Sequence, residues 1–169
     1  MKTIIFIGMM GSGKTTIGKL LGEKLNLQSI DIDCEIEKIE NRKISEIFKT
    51  EGEKYFRTIE KNTIKTNFSN ENKVISLGGG AFENAETQKL LIKNSVIIYL
   101  KTSPSVIFDR IKNNTDRPLL NNQMNIEKIT EIIKNRQQNY EKSHITILTD
   151  NKNPNTIVEE ILGVLKCYK

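Results

Sequence analysis

The stretch Ile4-Ile5-Phe6-Ile7-Gly8-Met9-Met10-Gly11-Ser12-Gly13-Lys14-Thr15 decides the fold of this chain. Its first four residues are β-branched or aromatic, the composition of a short buried strand. Its last eight match the pattern G-x-x-x-x-G-K-[ST]. Beyond it, Ile17, Leu20, Leu21 and Leu25 recur at helical spacing, so the pattern has the strand before it and the helix after it that it requires. The glycines let the backbone curl until successive N–H groups converge on phosphate oxygens. Lys14 adds a point charge for the β/γ-phosphates and Thr15 a hydroxyl ligand for Mg²⁺, while the helix that begins here aims its positive end at the same anion. The plainer alternative, a glycine-rich turn that binds nothing, leaves the strand–loop–helix context without a reason.

Working outward, Leu27 to Asp33 reads as a second strand whose end carries Asp31 and Asp33. Alternation places the two acids on one side, beyond the carboxyl end of a strand, where open α/β sheets bind ligands. Either acid could instead cap the helix expected over Cys34 to Glu40. Helices are expected at Ile44 to Phe48 and Gly52 to Phe68, the latter with Arg57 and Glu60 three residues apart on one face, a spacing equally suited to an inconsequential surface ion pair. Lys73 to Leu77 is a third strand and runs into Gly78-Gly79-Gly80. Consecutive glycines cost backbone entropy, so they point to a place where a ligand or another backbone comes very close.

Further helices are expected at Phe82 to Lys93, Pro104 to Asn113, Ile126 to Tyr140 and Thr156 to Leu165, with strands at Ser95 to Leu100 and His144 to Leu148. Between them, residues 112–122 are rich in Asn and Asp and carry Arg117, which predicts a mobile loop and a candidate lid. His144, the lone histidine, is read as structural. Strands alternating with helices, without repeats or composition shifts, predict one three-layer α/β domain over residues 1–169 with a five-stranded parallel sheet. The helical stretch from Cys34 to Phe68 exceeds what a crossover needs and predicts a substrate-holding insertion.

The 169 residues suit a single core, with 37% hydrophobic and 28% charged residues. Mean hydropathy is −0.43. Apolar runs such as Val96 to Leu100 are too short to span a membrane, and Met1-Lys2-Thr3 leaves no room for a cleaved signal peptide ahead of the loop, so a cytoplasmic location is expected. Cys34 and Cys167 lack metal-ligand spacing and are expected as free thiols. The net charge of +5 is spread among glutamates rather than gathered into a stripe, which fits a small anion-binding enzyme better than a nucleic-acid partner.

Taken together, the loop from Gly8 to Thr15, Asp31-Ile32-Asp33 followed by Glu37, Phe56-Arg57 with Glu60, Gly78-Gly79-Gly80, Arg117-Pro118-Leu119-Leu120, Arg136 with Tyr140, and Asn153-Pro154 resemble, in order and spacing over essentially the whole chain, shikimate kinase, a branch of the nucleoside-monophosphate-kinase group of P-loop folds. That resemblance implies transfer of the γ-phosphoryl group of ATP to the 3-hydroxyl of shikimate, with Mg²⁺, in the biosynthesis of aromatic amino acids. It implies a substrate-binding segment at about residues 33–61 and a lid at about 112–124. It implies that Arg57 and Arg136 hold the carboxylate, a task for which the planar guanidinium fork suits better than an ammonium. Asp33 would bond the ring hydroxyls and orient or deprotonate the attacking one, Gly78, Gly79 and Gly80 would line the same site, and Glu60 would hold Arg57.

On the nucleotide side, the same resemblance implies the backbone cradle from Gly11 to Thr16, Lys14 on the β/γ-phosphates, Thr15 on the metal, Asp31 reaching it through water, and Arg117 closing over the transferred group. Arg110 and Pro154 would sandwich adenine, with Lys152 where many relatives carry arginine. The strand Val96 to Leu100 ends in Lys101 rather than a Walker-B aspartate, so Asp31 and Ser76 would supply the metal's outer shell. A monomer is expected. The remaining alternatives are a kinase for gluconate or a nucleoside monophosphate, and a nucleotide-sensing or nucleic-acid-binding protein; neither a basic stripe nor RNA-binding aromatics supports the last.

Overall fold

The computed structural model describes residues 2–68, 72–112 and 125–167. Its core is one parallel sheet of five strands in the order β2-β3-β1-β4-β5. These are β1 (Thr3–Ile7), β2 (Gln28–Asp31), β3 (Lys73–Ser76), β4 (Ser95–Lys101) and β5 (Ile145–Leu148). The loop-bearing strand β1 is central and buried along its whole length, pairing with β3 on one side (Ile5 with Ile75) and β4 on the other (Phe6 with Ile98). The chain leaves β1 in one direction to form β2 and β3, then crosses to the opposite side for β4 and β5. The carboxyl end of β1 is therefore the topological switch point, where the sheet opens a crevice.

Strand alternation sorts the core into two layers. Ile4 and Phe6 face the side covered by α1 (Lys14–Leu25) and α8 (Pro154–Cys167), where Ile17, Leu21, Ile157, Val158 and Ile161 pack. Ile5 and Ile7 face the other side. That side is covered by α2 (Ile32–Glu40), α3 (Ile44–Thr50), α4 (Gly52–Asn67), α5 (Ala85–Asn94) and the end of α7 (Ile126–Tyr140), through Ile36, Ile47, Phe56, Ile64, Leu91 and Tyr140. A smaller cluster joins Met9 and Met10 of the loop to Ile107 and Ile111 of α6 (Pro104–Ile111) and to Ile129. The expected three-layer α/β architecture is present, with α2, α3 and α4 as the helical insertion between β2 and β3.

Several boundaries differ from the sequence expectation for identifiable reasons. The second strand stops at Asp31 because that side chain caps α2, accepting from the Cys34 amide; Asp33 lies in the first helical turn and not on the strand. The helix expected from Phe82 is split into a 3₁₀ turn, Ala81–Glu83, and α5, because the Asn84 side chain accepts from the amides of Glu86 and Thr87 and starts a new helix. His144 precedes β5, where its Nδ1 accepts from the Ile97 amide, in keeping with a structural role. Cys34 and Cys167 are free thiols, as expected. Among the described residues no helix is long and apolar enough to cross a membrane.

Candidate active site

The phosphate loop leaves β1 through Gly8, at φ +142°, and enters α1 through Gly13, at φ +96°. A side chain at Gly8 would also stand 2.7 Å from the Leu100 carbonyl oxygen. The Lys14 ammonium is buried and donates to the carbonyls of Gly8 and Met9, both at 2.9 Å, which fixes its charge against the loop. The Thr15 hydroxyl donates to Asp31 Oδ2 at 2.5 Å, while Asp31 Oδ1 holds the Cys34 amide at 3.2 Å. One carboxylate thus joins the loop, the end of β2 and the start of α2. The Ser76 hydroxyl donates to the Lys14 carbonyl at 3.0 Å and ties β3 to the start of α1.

The three glycines after β3 have ordinary backbone angles, so their purpose is space. A Cβ at Gly78 would stand 2.7 Å from both Asp33 Oδ1 and Glu60 Oε1. One at Gly80 would stand 2.8 Å from an Arg57 guanidinium nitrogen, and one at Gly79 would press within 3.3 Å of the Met10 amide nitrogen. The Gly79 carbonyl accepts from Arg136 at 2.9 Å and from the Tyr140 hydroxyl at 2.7 Å. The glycine turn is a floor on which the side chains of Asp33 from α2, Arg57 and Glu60 from α4, and Arg136 from α7 lie directly.

Arg57 and Glu60 are not an idle surface pair. Glu60 is 3% exposed, accepts from Arg57 at 2.7 Å through Oε2, and leaves Oε1 buried with no hydrogen-bond partner. Burial pushes its carboxyl up, Arg57 pulls it back, and the nearby Asp33 adds to the upward push. Arg57 is also braced by Glu53, at 3.2 Å, and lies over the Phe56 ring. Burial and the negative side chains of Asp31, Glu37 and Asp33 push the Cys34 thiol up, away from the nucleophilic thiolate.

Two cavities flank this partition. The first, about 340 Å³, contains Asp33, Arg57, Glu60, Gly78, Gly79, Gly80 and Arg136 in its lining. The second, about 360 Å³, is lined by Gly11, Ser12, Gly13, Lys14, Thr15 and Thr16, and by Arg110, Lys152 and Pro154. Thr15, Asp31, Asp33 and Gly79 line both and form the common wall. Arg110 reaches the loop, donating to the Gly11 carbonyl at 3.0 Å, and Lys152 is paired with Glu160 at 2.5 Å. Arg117 and residues 113–124 of the lid expected at about 112–124 lie outside the described residues. Sequence reasoning did not find Met10, Lys43, Ile44 and Phe48 in the first cavity; they carry no chemical pattern, and only the folding of α2, α3 and α4 brings them there.

A phosphate loop that opens on one side to a nucleotide-sized space and shares its wall with a second cavity, itself carrying paired guanidinium and carboxyl groups, defines a P-loop kinase of small molecules. The sequence profile of a family described as shikimate kinase matches residues 10–166. A shikimate kinase of Sulfurihydrogenibium sp. (strain YO3AOP1) is 44% identical over 166 residues, covering 98% of this chain and 99% of its own. One of Persephonella marina (strain DSM 14350 / EX-H1) is 42% identical over 166 residues, covering 98% and 100%. Among solved structures, the shikimate kinase of Acinetobacter baumannii in complex with shikimate superposes with a TM-score of 0.94 at 32% identity, covering 100% of this chain and 95% of its own. The chain belongs to the shikimate kinase family, and its activity is that of an ATP-dependent small-molecule kinase.

Proposed function

We propose that the 3-hydroxyl of shikimate, bound in the first cavity, attacks the γ-phosphorus of ATP bound in the second, giving 3-phosphoshikimate and ADP. The observation that carries this reading is the common wall: Asp33 lines both cavities, so one carboxylate faces the acceptor hydroxyl and the donor phosphate together. Arg57 and Arg136 enter the first cavity from different helices and offer forks to one carboxylate. Asp33 accepts from the attacking hydroxyl and orients it, and the glycine floor lets the ring lie close to backbone N–H groups.

On the other side, the loop amides and Lys14 hold the phosphates. The Thr15 hydroxyl and Asp31 carboxylate are hard oxygen donors standing together, a fit for Mg²⁺, which keeps phosphate and water among its ligands and needs few from the protein. Bound there, the ion would neutralise charge on the phosphates. The transition state is loose, with charge spread over phosphoryl oxygens, so placing cations around it supplies most of the catalysis. Arg110 and Pro154 border the adenine, with Lys152 beside them. By its motif, Arg117 belongs with the lid, at about 112–124, that closes over the phosphoryl group, and residues 33–61 are the substrate-holding segment of a single domain.

A cytoplasmic monomer without a nucleic-acid partner completes the reading. The test is ADP release coupled to a spectroscopic readout, with shikimate, gluconate and nucleoside monophosphates as acceptors. Turnover is expected with shikimate alone; turnover only with another acceptor overturns the assignment.

A further inference from the structure

Glu60 has an oxygen that the reaction as described does not use. Oε2 is bound to Arg57, whereas Oε1 is buried and has no hydrogen-bond partner. A buried carboxylate oxygen in that condition carries an uncompensated loss of hydration. Across Gly78 stands a second carboxyl group. Asp33 Oδ1 and Glu60 Oε1 are each 2.7 Å from the point where a Gly78 Cβ would be, so the two oxygens are no further apart than twice that distance. A single proton on Oε1 would turn the orphan acceptor into a donor.

We propose that Glu60 is a positioning residue: binding of the acid substrate draws a proton onto its Oε1, and the protonated side chain then orients Asp33. The inference rests on the shikimate reading of the same cavity. Charge balance supplies the direction. Facing Glu60 are Arg57 from its own helix, Asp33 from α2 and Arg136 from α7, with Lys61 and Glu83 lining the hollow on its other side; the glycine turn brings no charge. A substrate carboxylate on the two arginines adds a negative charge that competes with Glu60 and Asp33 for cationic support Arg57 already shares with Glu53. The least hydrated acid of the set then accepts a proton, leaving Asp33 ionised to receive the substrate hydroxyl. Burial already favours that state of Glu60. Because a proton is taken up on binding, affinity falls as pH rises.

The experiment is titration calorimetry of the full chain with shikimate in two buffers of different ionisation enthalpy, between about pH 6 and about pH 8, where a free carboxylic acid is ionised. Wild type is compared with Glu60→Gln, which keeps an acceptor for Arg57 and sets a permanent N–H donor where the proton would be. In wild type the binding enthalpy should differ between buffers by the uptake of up to about one proton, and Kd should weaken by up to about tenfold per pH unit at the alkaline end. In Glu60→Gln the buffer difference should vanish and Kd should not vary over this range. Identical wild-type enthalpies in both buffers, or a variant that retains the wild-type difference, overturn the inference. The wild-type comparison decides alone if the variant does not fold. Absence of shikimate binding in any buffer, checked independently by ADP release, overturns the reading of the cavity and this inference with it.

Discussion

The hydroxyl of Thr15 and the carboxylate of Asp31 meet at 2.5 Å, joining the first residues of α1 to the last residue of β2. Two strands that are not neighbours in the sheet are thereby tied at their carboxyl ends, where the two cavities meet. The same carboxylate caps α2. Its structural and chemical duties can be separated by substitution. Asn caps helices as well as Asp, so Asp31→Asn should keep stability within about 0.5 kcal/mol while removing the negative charge from the proposed metal position. The Mg²⁺ concentration for half-maximal turnover should rise about tenfold or more. An unchanged Mg²⁺ dependence would remove Asp31 from the metal's surroundings.

Asp33 lines both cavities and stands in the first turn of α2, where its charge also suits the helix dipole. Asp33→Asn should bind ADP with nearly wild-type affinity and lower kcat by about 10²–10⁴, the range for loss of a positioned acid–base group. Fluorescence or calorimetric titration with ADP, beside steady-state turnover, distinguishes the two. Equal loss of nucleotide binding would show that the carboxylate serves the phosphate side.

Gly78→Ala separates fold from function in another way. The new methyl would displace the ends of the Asp33 and Glu60 side chains rather than backbone, and Gly78 has an ordinary φ. Stability should therefore fall by no more than about 1–2 kcal/mol in a denaturant titration. Turnover with shikimate should drop by at least about a hundredfold, because misplacement of reacting groups by an ångström is that costly. Near-normal turnover in this variant would mean that the two carboxyls need not straddle a bare position.

Tyr140 gives a prediction at alkaline pH. Its hydroxyl donates to the Gly79 carbonyl, and burial pushes the phenol up from 10.0 to about 12, with Arg136 opposing the shift. A folded-state value above the unfolded one means that its contribution is whole below pH 10 and is lost as pH rises through about 12. Wild type should therefore lose stability relative to Tyr140→Phe over that interval, by roughly 2–3 kcal/mol. At neutral pH the variant should instead be about 1 kcal/mol weaker for want of the hydrogen bond. Parallel urea titrations of the two proteins measure both differences; superimposable alkaline limbs would contradict the assignment.

What could be read before folding was whatever is carried by neighbours in sequence. The apolar run, the glycines and Lys14 lie side by side, so the central strand, the loop and α1 were evident from spacing alone. Asp31 stands at the end of the second strand as expected, but Asp33 does not: alternation assumed an extended chain through Asp33, whereas the Asp31 side chain turns the backbone into a helix two residues earlier. The Arg57–Glu60 pair has the spacing of a surface ion pair. What sets it apart is its burial beside a turn some twenty residues further along the chain, which no local pattern records. The glycines did signal a close approach, as expected; at Gly78 and Gly80 the approaching groups are side chains, and at Gly79 the Met10 amide nitrogen is among them.

The glycine floor also bears on how the protein can change. At Gly78 and Gly80 every coding substitution adds at least one carbon atom to a place already taken by Asp33, Glu60 or Arg57. An inhibitor designed to rest flat against that floor would meet a surface with little room for resistance mutations, since an alteration that dislodged the drug would disturb the same groups proposed to receive the substrate.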